Sequence, residues 1–227
     1  MSASQPHAGG LPRGDALVSN RVKEAARAAL APLVRLAQRL GVTANSVTVA
    51  GFLVVVAAAV LIGSGQLLVG AVVLVSGSLL DAVDGALARA TGGGTAFGSF
   101  LDSTLDRAAE AILYGAIVAF YLRTSAEPIG PVLLALTALS GSFMVSYTRA
   151  RAEGIGISAS VGLAQRTERL VIIVAGIALA GLGVGIGLVG AIGIVAALSA
   201  ATTVQRIWHV RQQVDGQPAP HEAAQER

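Results

Sequence analysis

Four aspartates stand at fixed spacing inside two otherwise apolar stretches: Asp81-x2-Asp84-Gly85-x2-Ala88-Arg89, then Gly98-x3-Asp102-x3-Asp106. Spacings of three and four put Asp81 with Asp84, and Asp102 with Asp106, on one stripe of each helix, so two short rows of carboxylates can face each other. Charges at membrane depth are costly and mark function. Four close carboxylates demand cations. Hard oxygen donors in that number suit Mg2+, Mn2+ or Ca2+ better than Zn2+, and a chain without cysteine offers no thiolate instead. Two metal ions held by shared carboxylates stabilise phosphoryl chemistry by neutralising oxygens, aligning the electrophile and assisting departure of the leaving group. Arg89 lies five residues beyond Asp84. It either reaches a diphosphate or anchors its helix as a positive flank. The bend Gly92, Gly93, Gly94, Thr95 either receives a nucleotide base or only joins two helices.

Membrane helices must position these residues. With 54% apolar and 13% charged residues and a mean hydropathy of +0.71, the composition excludes an ordinary soluble domain. The chain's 227 residues hold about six spans of roughly 20 residues with short connections. Hydropathy and breakers place them near 46–65, 68–90, 97–122, 130–150, 167–184 and 187–208. The expected fold is an all-α integral membrane protein with six transmembrane helices in one domain over 42–212. An N-terminal extension over 1–17 and a polar tail over 213–227 are expected to be disordered, and the start lacks the apolar core of a signal peptide. Over 18–40, Arg21, Lys23, Arg27, Arg35 and Arg39 alternate with an apolar stripe, which suits an amphipathic interfacial helix kinked near Pro32. A plain positive-inside flank accounts for that stretch equally well.

Loop charges set the expected orientation. The N-terminal arm, the region of Arg89, the Arg149 to Arg169 connection, and Arg206 with Arg211 share one side of a six-span chain and hold nearly all the cations. By the positive-inside rule that side, with the aspartates' mouth, faces the cytoplasm of a cell (inner or plasma) membrane. The glycine run at 181–190 serves helix packing and turns. Gly85 and Gly98 differ, because each lies on a carboxylate stripe where a missing side chain leaves space for substrate or backbone.

Eight fixed residues over the 26 positions from Asp81 to Asp106 resemble the signature of the CDP-alcohol phosphotransferase family. The resemblance implies a six-helix membrane enzyme, usually a homodimer, whose two divalent ions, Mg2+ or alternatively Mn2+, bind the diphosphate of a CDP-linked lipid. It makes Asp81, Asp84, Asp102 and Asp106 the metal ligands and Asp106 the general base. It gives Gly85, Arg89 and Thr95 contacts to the cytidine diphosphate, and the segment Ala44, Asn45, Ser46, Val47 a further nucleotide contact. That segment reads equally as a helix N-cap by Asn45 or Ser46.

Arginines approach the aspartate side from three helices, in SerTyrThrArgAlaArgAlaGluGly over 146–154, GlnArgThrGluArgLeu over 165–170 and ValGlnArgIleTrpHis over 204–209. Converging guanidinium groups suit a phosphate dianion on the acceptor, whereas a neutral polyol needs hydroxyl and amide partners. These segments are similar to the branch of the family that uses an inositol phosphate acceptor, with Gln165 where that branch commonly has Glu. By that resemblance Arg149, Arg169 and Arg206 hold the acceptor phosphate, supported by Arg151, Glu153 and Arg166. Read without it, the same arginines are cytoplasmic anchors.

The function this implies is transfer of the phosphatidyl group from CDP-diacylglycerol to myo-inositol phosphate with release of CMP. The expected partners are those two substrates, membrane lipids and a second copy of the chain, with no nucleic acid. Two alternatives stay open: phosphatidylglycerophosphate synthesis, which also takes a phosphorylated acceptor, and a divalent-cation transporter whose aspartates line a permeation path. Arg89 and Arg107 beside the carboxylates count against conduction.

Overall fold

The structure, a computed structural model, describes residues 31–214. Their regular structure is all helix, with no strand among them. Helix α1 is described over 31–39. It is followed by α2 (Ala44–Gly63), α3 (Leu67–Ala90), α4 (Ala96–Thr124), α5 (Ile129–Glu153), α6 (Arg166–Gly181) and α7 (Ile186–Val214). Each of the six stretches expected to span holds one helix, and α5 and α7 run several residues past their expected ends. The extension over 1–17 and most of 18–40 and of 213–227 lie outside the described residues.

Four helices, α2, α3, α5 and α7, are long and apolar enough to cross a membrane. The other two differ for visible reasons. Asp102, Asp106, Arg107 and Glu110 interrupt the apolar run of α4, and α6 has 16 residues. Outward-facing apolar side chains such as Val60 and Val72, each 67% exposed, suit a hydrocarbon surrounding rather than water.

The connections between helices are short except for residues 154–165 between α5 and α6. Leu74, Ile117, Ile173, Leu188 and Ile192 form the centre of one core shared by α3, α4, α6 and α7. Close approach of α2 and α3 depends on paired glycines: a Cβ on Gly77 would stand 3.1 Å from Val55 Cγ2 and 3.5 Å from the Gly51 carbonyl. That contact lies one turn before Asp81, so it fixes the height and distance at which the α3 carboxylates meet their neighbours. At the far end Arg123 donates to the Gly63 carbonyl at 3.3 Å, tying α4 to α2.

Between α3 and α4 the chain reverses through Gly92 and Gly93, whose φ values of +97° and +102° strain any residue with a Cβ. Thr95 then caps α4, accepting the Gly98 N–H at 2.9 Å. The cap of α2 corrects the sequence reading. Thr43, not Asn45 or Ser46, accepts the Ser46 N–H at 3.2 Å, which leaves the Asn45 side chain available for another contact.

Candidate active site

Asp81 and Asp84 lie in the second half of α3, Asp102 and Asp106 in the first half of α4. One carboxylate oxygen each from Asp81, Asp102 and Asp106 falls within 4.8 Å of the others. Asp84 sits slightly apart and deeper, 7% exposed, and its Oδ2 has no hydrogen-bond partner. Arg166, arriving from α6, answers part of this negative charge: Nη1 is 2.9 Å from Asp81 Oδ2 and Nη2 is 2.5 Å from Asp106 Oδ1. Clustered oxygen donors together with an orphaned buried carboxylate oxygen fit a hard divalent cation, and these four aspartates are the residues that could hold it.

The carboxylates form a partition between two cavities. On one side lies a wide groove of about 920 Å³, bordered by Ala44, Asn45, Asp84, Gly85, Arg89, Thr95 and Asp102. This is the size range of small-molecule sites. On the other side is a narrow cavity of about 60 Å³ with Asp81, Asp106, Glu110, Arg166 and Arg169 among polar walls, and Leu74, Leu105 and Ile173 among apolar ones. Thr48 borders both.

Of the residues expected at the nucleotide, Ser46 and Val47 do not border the groove. Ser46 Oγ lies 2.9 Å from Thr43 Oγ1 within the cap, and Val47 packs with Val34, Val83 and Leu87. The alternation follows from the helix itself, since successive residues point in different directions. Gly85 lies beneath Arg89, whose Nη1 would be 3.4 Å from a Cβ placed there. At Gly98 a Cβ would meet Asn45 Oδ1 at 2.9 Å and Thr95 Oγ1 at 3.1 Å. The space left by the missing side chain is therefore used to bring α2 against the start of α4.

The three acceptor-side arginines take different positions. Arg169 is buried; Nη1 donates to the Ala164 carbonyl at 3.1 Å and Nη2 to Glu110 Oε1 at 3.1 Å. Arg206 is also buried, donating Nε to the Val161 carbonyl at 2.9 Å and Nη1 to the Val145 carbonyl, with the positive charges of Arg149 and Arg169 nearby. Arg149 is exposed and paired with Glu153 at 2.8 Å. Arg151 is exposed as well. Arg206 thus straps the connection between α5 and α6 onto α7, assisted by Thr202, whose Oγ1 accepts the Ala164 N–H at 3.1 Å.

Two further charged residues join the site. Arg107 Nη1 lies 3.1 Å from Glu110 Oε2, donates to Ser146 Oγ, and has Nη2 at 3.7 Å from Asp106 Oδ2. The sequence reading used Arg107 only as an argument against conduction and gave Glu110 no role. The signal was available: Asp102, Asp106 and Glu110 recur every four residues and continue one stripe of α4.

A family model for CDP-alcohol phosphatidyltransferases matches residues 41–208. The archaetidylinositol phosphate synthase of Methanothermobacter thermautotrophicus is 41% identical over 180 residues, 79% of this chain and 88% of that protein. The phosphatidylinositol phosphate synthase of Corynebacterium glutamicum is 37% identical over 186 residues, covering 82% of this chain and 85% of that one. Crystal structures of Mycobacterium tuberculosis phosphatidylinositol phosphate synthase (PgsA1) are similar in fold at 33% identity and 80% of this chain. The form with CDP-DAG bound has a TM-score of 0.75 over 93% of its chain, and the complex with manganese and citrate 0.74 over 88%. A match over the whole helical bundle, with the aspartate signature intact at its centre, means that this chain belongs to the CDP-alcohol phosphatidyltransferase family.

Proposed function

We propose that this protein is a phosphatidylinositol phosphate synthase, transferring the phosphatidyl group of CDP-diacylglycerol to a myo-inositol phosphate and releasing CMP. The observation that carries this reading is the partition: four carboxylates stand between a groove large enough for a nucleotide and a cluster of arginines suited to a phosphorylated acceptor. The names of the relatives from Corynebacterium and Mycobacterium support the acceptor.

In this reading Gly85, Arg89, Thr95, Ala44 and Asn45 receive the cytidine diphosphate, and Arg169, Arg206 and Arg149 receive the acceptor phosphate. Asp106 takes the proton from the attacking hydroxyl. The acceptor oxygen forms a bond to the lipid-bearing phosphorus; the bond from that phosphorus to the CMP oxygen breaks, and CMP departs with the electron pair. Asp81, Asp84, Asp102 and Asp106 would hold two Mg2+ ions, with Mn2+ as a substitute, which when bound supply charge neutralisation of the diphosphate. The aspartate cluster and the manganese in a relative's structure support a divalent metal. Arg166 and Arg169 line the narrow side and keep positive charge beside the row.

The same reading places six transmembrane helices over 42–212 in a cell membrane with the aspartate end toward the cytoplasm, preceded by an interfacial helix, and the chain working as a homodimer. Arg166 lying across Asp81 and Asp106 counts against a cation path between the two helices.

Purified protein incubated with CDP-diacylglycerol and separate acceptors, with CMP release followed, tests the proposal. Inositol phosphate should be used, unphosphorylated inositol ignored, and excess chelator should stop release until Mg2+ or Mn2+ is restored. Preference for glycerol 3-phosphate would reassign the acceptor, and full activity in chelator would remove the metal ions from the reaction.

A further inference from the structure

Glu110 lies one turn beyond Asp106 on the same stripe of α4, and its two oxygens face two different guanidinium groups. Oε1 is 3.1 Å from Arg169 Nη2, and Oε2 is 3.1 Å from Arg107 Nη1. Arg107 in turn reaches Asp106 and Ser146. We propose that Glu110 is a positioning residue: by holding Arg169 in a fixed orientation through Oε1, with Arg107 paired by charge alone to Oε2, it sets the enzyme's affinity for its phosphorylated acceptor. This rests on the reading of Arg169 as an acceptor-phosphate contact.

The argument begins with burial. Arg169 is 2% exposed, and a guanidinium so far from water is costly unless it is paired. Its Nε and Nη2 both point to Glu110 Oε1, at 3.4 Å and 3.1 Å, while Nη1 is held by the Ala164 carbonyl. Contacts on three nitrogens fix the plane of the group. A fixed fork recognises phosphate without losing side-chain freedom on binding, which a long unrestrained arginine would lose. Glu110 borders the narrow cavity rather than the nucleotide groove, so its influence falls on the acceptor side of the carboxylates. The carboxylate is also chemically specific. An amide in its place keeps one acceptor oxygen, loses the negative charge that answers both guanidinium groups, and turns an NH2 group toward one of them.

The test measures kcat and both KM values for wild type, Glu110→Gln, Glu110→Asp, Arg169→Ala and the Glu110→Gln/Arg169→Ala double variant, each with its thermal midpoint in detergent. Glu110→Gln should raise the acceptor KM by about ten- to a hundredfold while the CDP-diacylglycerol KM stays within about threefold. Glu110→Asp should recover much of the loss because it keeps both oxygens and the charge. On the Arg169→Ala background the glutamine change should have little further effect on acceptor KM, the mark of residues acting through one another. Unchanged acceptor KM in Glu110→Gln would overturn the proposal. So would equal damage to both substrates, additive effects in the double variant, or failure of both single Glu110 variants to fold, each of which assigns the residue to structure alone. The wild-type arm separates this from the acceptor assignment. Preference for another phosphorylated alcohol changes that assignment, and the same KM comparison made with that alcohol still decides Glu110. Use of unphosphorylated alcohols alone would remove both.

Discussion

Arg166 at the start of α6 reaches Asp81 near the end of α3, Nη1 to Oδ2 at 2.9 Å, across 85 residues of sequence. Its other terminal nitrogen holds Asp106 of α4, so one guanidinium joins three helices at the carboxylate row. A cation entering that row competes with it. Arg166→Gln is expected to strengthen Mn2+ binding by up to about fivefold, the range of a partly exposed ion pair. Electron paramagnetic resonance titration of free Mn2+ measures this without turnover, and weaker binding in the variant would refute the competition.

Asp106 borders the narrow cavity, pairs with Arg166 and Arg107, and belongs to the oxygen cluster. Asp106→Asn should lower turnover by about 10^2- to 10^4-fold, the usual worth of a general base, with weakened metal binding adding to the loss. CDP-lipid binding should be largely retained, since Asp106 borders the narrow cavity and not the wide groove. Parallel assays of CMP release and lipid binding check both halves, and near-normal turnover at saturating Mg2+ would exclude the base role.

Gly98 makes room for Asn45 Oδ1 and Thr95 Oγ1. Gly98→Ala should push the Asn45 side chain off the start of α4 and reshape the wide groove. The expected result is a KM for CDP-diacylglycerol raised by about five- to tenfold, the equivalent of one lost hydrogen bond, with acceptor KM unaffected. Steady-state kinetics varying one substrate at a time distinguishes this from a general loss of fold.

Arg149 and Arg206 should separate in their effects. Arg206→Ala strands the Val161 carbonyl, at about 1 to 3 kcal/mol for a group left buried and unpaired, while the Val145 carbonyl keeps the Thr148 hydroxyl, and the change should lower the thermal midpoint in detergent. Arg149→Ala removes an exposed pair with Glu153, worth less than about 1 kcal/mol, and should leave the midpoint nearly unchanged. If Arg149 contacts the acceptor phosphate, its loss still raises acceptor KM by about tenfold or more. An unmoved KM would make Arg149 a surface anchor.

Much of this arrangement is legible in the sequence because helical periodicity turns spacing into direction. Asp102 and Asp106 share a stripe of α4 as their spacing requires and meet Asp81 of α3, and Gly92 and Gly93 mark the reversal between the two helices. What spacing does not reveal is the rotation and distance of one helix relative to another. Arg166 therefore read as a supporting residue on the acceptor side, although tertiary packing carries it to Asp81 and Asp106. Arg206 reads in the sequence as an acceptor-phosphate contact or a cytoplasmic anchor, yet backbone carbonyls of α5 and of the α5 to α6 connection occupy its Nη1 and Nε. Ser46 and Val47 entered the nucleotide list with Ala44 and Asn45, but consecutive residues on a helix cannot all face one groove. Glu110 continues the stripe of Asp102 and Asp106 and stands three residues from Arg107, but its other partner, Arg169, is 59 residues away on α6 and only packing brings it there.

The carboxylate row borders two chambers at once, and the consequence is kinetic. With the donor nucleotide proposed for the wide groove and the acceptor phosphate for the arginine side, the two substrates would not compete for one chamber, and both would be bound before any bond changes. Initial-rate plots at several fixed acceptor concentrations should then give intersecting lines, as a ternary complex requires. Parallel lines would mean that the phosphatidyl group waits on the protein between two half-reactions.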